Sequence, residues 1–269
     1  MKILIVGGVA GGASAAARLR RLNEEAEIIL FEKGDYISFA NCGMPYHIGK
    51  VITQRSKLLV QSAEGMRERF RIDVRVNNEV LKIDRERKEV TVLDHKEQRT
   101  YVESYDILIL APGATPIKPP LPGIVNNKIF TLRHLSDMDA IIQALEGKEQ
   151  GKAVIVGGGF IGIEMAENLH HRGFEISLVE MANQIMTNLD RDMAAFVHNY
   201  LRQKGVNLIL QDGVKGFKDH DSKISVILQS GRALETDIVI LAIGVKPDSK
   251  LAQKAGLEIG INGTIKVNS

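Results

Sequence analysis

Two apolar patterns alternate along the chain. Continuous apolar runs at Ile3 to Val6, Ile28 to Phe31, Ala153 to Val156 and Ile176 to Val179 predict parallel strands buried on both faces. A small-residue helix, Ala13-Ser14-Ala15-Ala16-Ala17, lies between the first two, and Glu164 is expected to open a helix between the second two. Lys57 to Arg69 has a mixed helical pattern. Val74 to Val80, Glu89 to Leu93 and Arg99 to Val102 alternate apolar with polar residues, as strands of an antiparallel meander do. Further strand-like pieces lie at Val206 to Leu210 and Ile224 to Leu228. Asp106 to Pro116 and Asp237 to Pro247 each read as a buried strand running into a turn, and they share Asp, Ile, Ile, Leu, Ala, Gly and Pro at matching positions. Pro116 to Gly123 is proline-rich and reads as a linker. One order of elements thus occurs twice, which argues for two copies of one plan.

The turns after the first and third runs carry the chemistry. Gly7-Gly8-Val9-Ala10-Gly11-Gly12 precedes a helix and a strand that ends on Glu32. Gly157-Gly158-Gly159-Phe160-Ile161-Gly162 precedes a helix and a strand that ends on Glu180. Strand, glycine turn, helix, strand and acid form a dinucleotide fingerprint. The glycines let backbone N–H groups and a helix N-terminus approach a pyrophosphate, and the acid accepts from ribose hydroxyls. The second turn matches G-x-G-x-x-G at every glycine, whereas Val9 replaces the middle glycine of the first. Glu180 followed by Met181-Ala182 repels a 2′-phosphate and offers it no arginine, so NADH is expected over NADPH. The fold class is therefore α/β, with two Rossmann-like three-layer domains, each a parallel sheet with an antiparallel meander. Ser14, Arg18 and Arg21 share a face of the first helix. That spacing fits a solvated charged face, and it also fits an anion contact for a phosphorylated substrate.

Composition narrows the function. The 269 residues are 44% hydrophobic and 25% charged, as in soluble globular proteins, and suffice for two domains. A net charge of +2, no tryptophan and 5% aromatics argue against nucleic acid, an anionic membrane and base stacking. The apolar opening Met1 to Val6 stops at Gly7, and no later run is long enough to span a bilayer, so the chain reads as cytoplasmic. The single cysteine excludes an internal disulfide and fits a reducing compartment. It lies in Ser38-Phe39-Ala40-Asn41-Cys42-Gly43-Met44-Pro45-Tyr46-His47-Ile48-Gly49. By composition alone Cys42 reads as a buried small apolar residue. Its place after a nucleotide turn reads instead as a redox thiol. His47 is a weaker candidate, for acid–base work. His170 and His171 are adjacent and so point to different helix faces, against a shared metal. The sequence holds no serine triad or G-x-x-x-x-G-K loop, and no metal site is expected.

These residues resemble the FAD-dependent pyridine nucleotide–disulfide oxidoreductases. Within them the chain is most similar to the coenzyme A-disulfide reductases and the NADH-dependent persulfide or polysulfide reductases, over its whole length. Ser38 to Gly43 with Pro45-Tyr46 and Gly49 is the most specific part, and Val9 is a variant of the same branch. The resemblance implies an FAD-binding domain over 1–116, an NAD(P)H-binding domain over 117–243 and a return to the first over 244–269. FAD would be held by Gly7, Gly8, Val9, Ala10, Gly11, Glu32, Lys33, Val80, Ala111, Gly113 and Arg133. NADH would be held by Gly157, Gly159, Phe160, Ile161, Gly162, Glu180 and Gly244. Coenzyme A would meet Ser14, Arg18, Arg21, Ser38 and Asn41, with Cys42 catalytic through a mixed disulfide. The expected activity is NADH-dependent reduction of coenzyme A disulfide, persulfide or polysulfide. One alternative is an NADH oxidase or peroxidase cycling through a sulfenic acid. Another is a nucleotide-binding fragment without turnover. Relatives continue past Gly263 to Val267 into a further FAD-binding strand and a dimerisation domain, some with a rhodanese domain. The chain is therefore expected to be a fragment, breaking off at Asn268-Ser269 after a strand-like run, of a parent that forms a homodimer.

Overall fold

The computed structural model describes residues 1–268, so Ser269, which with Asn268 is expected to follow the strand-like run, lies outside the described residues. The first elements are β1 (Lys2–Val6), α1 (Gly11–Leu22), β2 (Glu27–Glu32), α2 (Met44–Ile48), α3 (Ala63–Phe70), β3 (Asp73–Val76), β4 (Asn78–Asp84), β5 (Glu89–Asp94) and β6 (Arg99–Ser104). Next come β7 (Ile107–Leu110), β8 (Ala114–Pro116), β9 (Ile129–Phe130), α4 (Leu135–Ala144), β10 (Gly151–Val156), α5 (Phe160–His171) and β11 (Phe174–Val179). The last are α6 (Arg191–Gln203), β12 (Asn207–Ile209), β13 (Val214–His220), β14 (Lys223–Leu228), β15 (Ala233–Thr236), β16 (Ile238–Leu241), β17 (Val245–Pro247) and α7 (Lys250–Lys254). The chain packs as two units. Unit 1 comprises Met1–Ala40, Ser56–Thr115 and the residues from Lys246 on, and unit 2 comprises Asn41–Arg55 and Pro116–Val245.

Unit 1 is built on a parallel sheet in the order β3-β2-β1-β7, with an antiparallel sheet β4-β5-β6. The continuous apolar runs are explained by their two faces. Ile3, Ile5, Ile28 and Leu30 pack with Ala16 of α1 and Met66 of α3. Leu4, Val6, Ile29 and Phe31 pack with Val80, Ile83, Val90 and Val92 of the antiparallel sheet. Every residue of these runs is thus buried, and alternation would have left one face wet. Val74 to Val80 is not one strand of the meander. Asn77 stands at φ 58° and breaks it, so that β3 joins the parallel sheet beside β2 while β4 begins the meander. A left-handed residue cannot continue a pleated strand, and asparagine tolerates that conformation. The mixed pattern of Lys57 to Arg69 resolves into a 3₁₀ turn at Arg55–Leu58 and α3. Near the C-terminus, Gly263 to Val267 forms no strand; Ile259 and Ile265 make an isolated bridge.

Unit 2 repeats the plan. Its parallel sheet runs β12-β11-β10-β16-β9, and its antiparallel sheet runs β13-β14-β15. Val154, Val156, Val179, Val239 and Leu241 face Phe217, Ile224, Val226 and Leu228, while α5 packs on β10, β11 and β16. Helix α5 begins at Phe160, so Glu164 lies in its second turn and does not open it. The two matching strands differ in burial. β16 is buried throughout, with β9 beside it, whereas β7 is an edge strand whose residues are half-exposed, against the expectation of a buried run. The segment before Gly123 is no loose linker. Leu121 and Ile124 pack on the core of unit 2, Phe217 N–H donates to Pro122 C=O at 2.8 Å, and a Cβ at Gly123 would lie 2.3 Å from the Phe217 carbonyl oxygen.

Arg20 is the buried charge that the helix pattern conceals. Its guanidinium donates to the carbonyls of Phe70 (2.7 Å), Arg71 (2.8 Å), Glu24 (2.7 Å) and Asn23 (3.3 Å), at the C-terminal ends of α3 and α1. One cation thereby satisfies orphan carbonyls of two helix ends and complements both dipoles. Replacing Arg20 by Met should lower unfolding stability by about 2–4 kcal/mol, because the carbonyls lose charged donors. Urea unfolding followed by circular dichroism measures this, and a loss within error of zero refutes the tethering role.

Candidate functional site

In unit 1 the turn after β1 is shaped by close backbone approaches. Gly7 has φ 98°, and a Cβ there would lie 2.1 Å from the Ala111 carbonyl oxygen. A Cβ at Gly12 would lie 1.7 Å from the Gly7 carbonyl oxygen, and one at Gly8 would meet Ile37 Cγ2 at 2.7 Å. No side chain fits any of these positions. The acid at the end of β2 clamps the turn: Glu32 Oε2 accepts from Gly8 N–H and Oε1 from Gly34 N–H, both at 2.8 Å. Ser38, at φ 44°, donates its N–H to Gly8 C=O at 3.0 Å.

Unit 2 contains the same construction. Gly157 has φ 107° with the Ala242 oxygen 2.4 Å from a would-be Cβ, and Gly162 has the Gly157 oxygen at 2.0 Å. At Gly158 a Cβ would meet Ile185 Cγ2 at 2.3 Å. Glu180 Oε2 accepts from Gly158 N–H and Oε1 from Ala182 N–H, both at 2.8 Å. Met186, at φ 50°, donates to Gly158 C=O at 2.8 Å. Among the described residues, neither α1 nor α5 has a side-chain N-cap hydrogen bond, so the N–H groups opening each helix remain for an anion. Each carboxylate keeps lone pairs for hydroxyl donors after its two backbone bonds. Both turns therefore fit a dinucleotide.

The thiol segment groups with unit 2. Asn41–Gly43 is a 3₁₀ turn leading into α2, and Cys42 is exposed, which removes the reading of it as a buried apolar residue. Helix α2 packs on α4 and α5. The contact needs Gly49, where a Cβ would lie 2.2 Å from Asn168 Oδ1; the Asn168 amide donates to Glu164 C=O at 2.8 Å. Arg172 Nη1 donates to Ile48 C=O at 3.1 Å, and burial lowers its pKa. His47 Nδ1 bonds the Ile52 carbonyl at 2.6 Å, fixing the ring at the end of α2. Burial pushes the Tyr46 phenol up, helped by the nearby charges of Glu167, Glu164 and Cys42. Burial, with Glu167 beside it, also raises Glu164. The Tyr46 phenol thus lies within electrostatic reach of both the thiol and the two carboxyls. The sequence contained Tyr46 and Glu164, but only the packing of α2 on α5 relates them.

The expected site residues fall as follows. Ser14, Arg18 and Arg21 are all exposed on α1 of unit 1, and Ser38 also belongs to unit 1, whereas Asn41 and Cys42 belong to unit 2. Among the residues expected at the first nucleotide, Gly7, Gly8, Val9, Ala10, Gly11, Glu32 and Ala111 form or border one turn. Lys33 Nζ lies 3.4 Å from Asp248, Val80 is buried in β4, and Gly113 C=O accepts from Asp248 N–H. Arg133 lies in unit 2, where its N–H donates to Asp137. Among those expected at the second, Phe160 and Ile161 are exposed at the start of α5, beside Gly157, Gly159, Gly162 and Glu180. Gly244, at φ 106°, accepts from Ile117 N–H at 3.0 Å. His170 and His171 are exposed at the last turn of α5. Among the described residues, no helix is long and apolar enough to cross a membrane.

Comparison with known proteins agrees with this duplicated geometry. The sequence matches the pyridine nucleotide-disulphide oxidoreductase profile over residues 1–269. The coenzyme A disulfide reductase of Staphylococcus epidermidis is 35% identical over 267 residues, which are 99% of this chain and 59% of that protein. The reduced CoADR-RHD of Bacillus anthracis superposes with a TM-score of 0.96 at 54% identity, covering 99% of this chain and 48% of that one. The NAD-dependent persulfide reductase of A. fulgidus superposes with a TM-score of 0.94 at 36% identity, covering 98% and 49%. The chain thus spans about half to three fifths of the length of these relatives. With two acid-clamped glycine turns on a repeated α/β plan, the chain belongs to the pyridine nucleotide-disulphide oxidoreductase family.

Proposed function

We propose that the full-length protein is an FAD-dependent NADH oxidoreductase that reduces coenzyme A disulfide, or coenzyme A persulfide or polysulfide, through Cys42. The observation that carries this reading is the position of the only cysteine. It is exposed, and it lies four residues after Ser38, whose N–H is bonded to the first glycine turn. By covalent connectivity alone the Cα of Cys42 stays within about 14 Å of the Cα of Ser38. Relatives named as coenzyme A disulfide reductase and persulfide reductase support the sulfur chemistry.

In this reading unit 1 holds FAD at the Gly7–Gly12 turn, with Glu32 on the ribose, and unit 2 holds NADH at the Gly157–Gly162 turn, with Glu180 on the ribose. Bound FAD supplies two-electron transfer between NADH and sulfur. Cys42 Sγ attacks one sulfur of the substrate disulfide, forming a Cys–S–S bond as the substrate's own S–S bond breaks and releasing the second sulfur as a thiolate. One cysteine suffices, because the substrate brings the other sulfur. Exposed Arg18 and Arg21, with Ser14, Ser38 and Asn41, hold the phosphorylated thiol. Tyr46, whose hold on its proton is strengthened by burial and by nearby negative charge, is the donor this reading offers to the thiol. The parent acts as a homodimer.

Cys42→Ser in the full-length protein should abolish reduction of coenzyme A disulfide and persulfide while the flavin absorbance band remains. Persistence of that reduction in the variant sinks the role of Cys42. Turnover with peroxide or oxygen exceeding that with either sulfur substrate would replace this reading by a sulfenic acid cycle.

NADH should be preferred over NADPH. Glu180→Ala should lower kcat/KM for NADH about tenfold or more, by removing an ionised acceptor, and narrow the preference. Steady-state kinetics with both coenzymes checks this. Equal use of NADPH by the unsubstituted protein contradicts it.

A further inference from the structure

The loop of residues 181–189 joins β11 to α6 in unit 2 and lies against the second glycine turn. Ile185 fills the space that a Cβ at Gly158 would need, and Met186 N–H donates to Gly158 C=O. Within the loop, Gln184 Nε2 donates to Leu189 C=O at 2.9 Å and Leu189 N–H donates to Met186 C=O at 2.8 Å. The loop is tied to α6 by one side chain: Ile185 N–H donates to His198 Nε2 at 3.2 Å. A backbone N–H only donates, so Nε2 must carry its lone pair and the imidazole must be neutral. Among the described residues, no other hydrogen bond given for the glycine turn of unit 2 depends on one protonation state of a histidine in this way, and the corresponding loop of unit 1, Lys33 to Phe39, contains no histidine.

We propose that His198 is a positioning residue for the second nucleotide turn: its neutral ring holds Ile185 against Gly158, and its protonation frees the loop and weakens dinucleotide binding. This rests on the reading of unit 2 as the NADH site. Burial, and then the charge of Arg202 one turn along α6, lowers the His198 pKa from its ordinary 6.5, which favours the neutral form at neutral pH. The facing loop, Met181 to Leu189, and strand β12, Asn207–Ile209, carry no acidic or basic side chain to oppose that. Because the folded-state value is depressed, the ring's contribution is fully present above 6.5 and is lost as the pH falls through the lower value. Protonation sets two donors, Nε2–H and Ile185 N–H, against each other. The hydrogen bond is then lost at the residue that packs the turn.

The test is calorimetric titration of the full-length, flavin-loaded protein with ADP-ribose, which is stable in acid and carries the pyrophosphate and ribose. Unsubstituted protein should bind progressively more weakly as the pH is lowered from about 8 toward about 5, by up to about fivefold as the ring becomes protonated. His198→Gln keeps an acceptor that does not titrate, so its affinity should match the unsubstituted protein at the higher pH and lose this dependence. His198→Phe should bind about fivefold more weakly at both. Should His198→Phe fail to fold, the glutamine variant carries the test by itself. Binding with the same pH dependence in unsubstituted and glutamine proteins overturns the role of His198 and leaves the nucleotide site standing. No binding by the unsubstituted protein at the higher pH overturns the nucleotide site, and this inference with it.

Discussion

Both units depend on a backbone approach that leaves no room for a Cβ. The turn after the first strand of each unit passes the carbonyl of the alanine that follows a neighbouring parallel strand, Ala111 after β7 in one unit and Ala242 after β16 in the other, with would-be Cβ distances of 2.1 and 2.4 Å. The following helix rests on the first glycine's own carbonyl, through Gly12 and Gly162. Glycine alone meets such spacings, and at φ near 100° it does so without the strain a side chain would add. The rest is a consequence. With helix and strands this close, the acid at the end of the second strand reaches the second glycine's N–H. The first residues of the helix then present bare N–H groups at the sheet's C-terminal edge, where open α/β sheets bind ligands.

Charge is managed in the same economical way throughout. Glu32 and Glu180 each spend one oxygen on the turn and one on the residue two positions ahead, which orients the carboxylate before any ligand arrives. Such preorganisation lowers the ordering cost of binding. Arg20 does the converse for carbonyls at two helix ends. Against these satisfied groups, the surroundings of Cys42 stand out. Tyr46 and Glu164 are both pushed toward their protonated forms, by burial first and then by neighbouring carboxylates. A phenol and a carboxyl with raised affinity for protons, grouped in the unit that carries the only cysteine, are the shifts expected near a functional group.

Much of this was legible in the residues. The duplication could be read from two glycine turns, two terminal acids and two strands sharing Asp, Ile, Leu, Ala, Gly and Pro. What could not be read depends on neighbours distant in sequence. Asp106 to Ala111 and Asp237 to Ala242 are nearly the same string, yet β7 is a half-exposed edge and β16 is buried, because only β16 has a strand, β9, outside it. Asn77, Ser38 and Met186 adopt left-handed conformations, for which their residue types give weak or no signal. Asn77 split one expected strand between two sheets. The prolines of 116–122 gave a sound local signal, for extended chain without ladder donors, but they say nothing of the packing of Leu121 and Ile124 beneath a sheet. Arg20 looked like any surface arginine beside Arg18 and Arg21, and its burial follows from the approach of α3.

The departure at Val9 separates what the fold requires of the turn from what a ligand requires. The first, second and last glycines of each turn are fixed by protein atoms within 3 Å of a would-be Cβ. The middle position is different. At Gly159 a Cβ meets nothing, and the backbone there, φ −80° and ψ −175°, is open to any residue. Val9 occupies the equivalent place in unit 1, half-buried, without disturbing the acid clamp or the helix behind it. The fold therefore tolerates a side chain at this one position in both units. A glycine there is not required by the protein's own packing. Val9 in place of Gly159, Ala10 in place of Phe160 and Gly11 in place of Ile161 leave the three packed glycines of the two turns alike and confine their differences to positions that the fold leaves open.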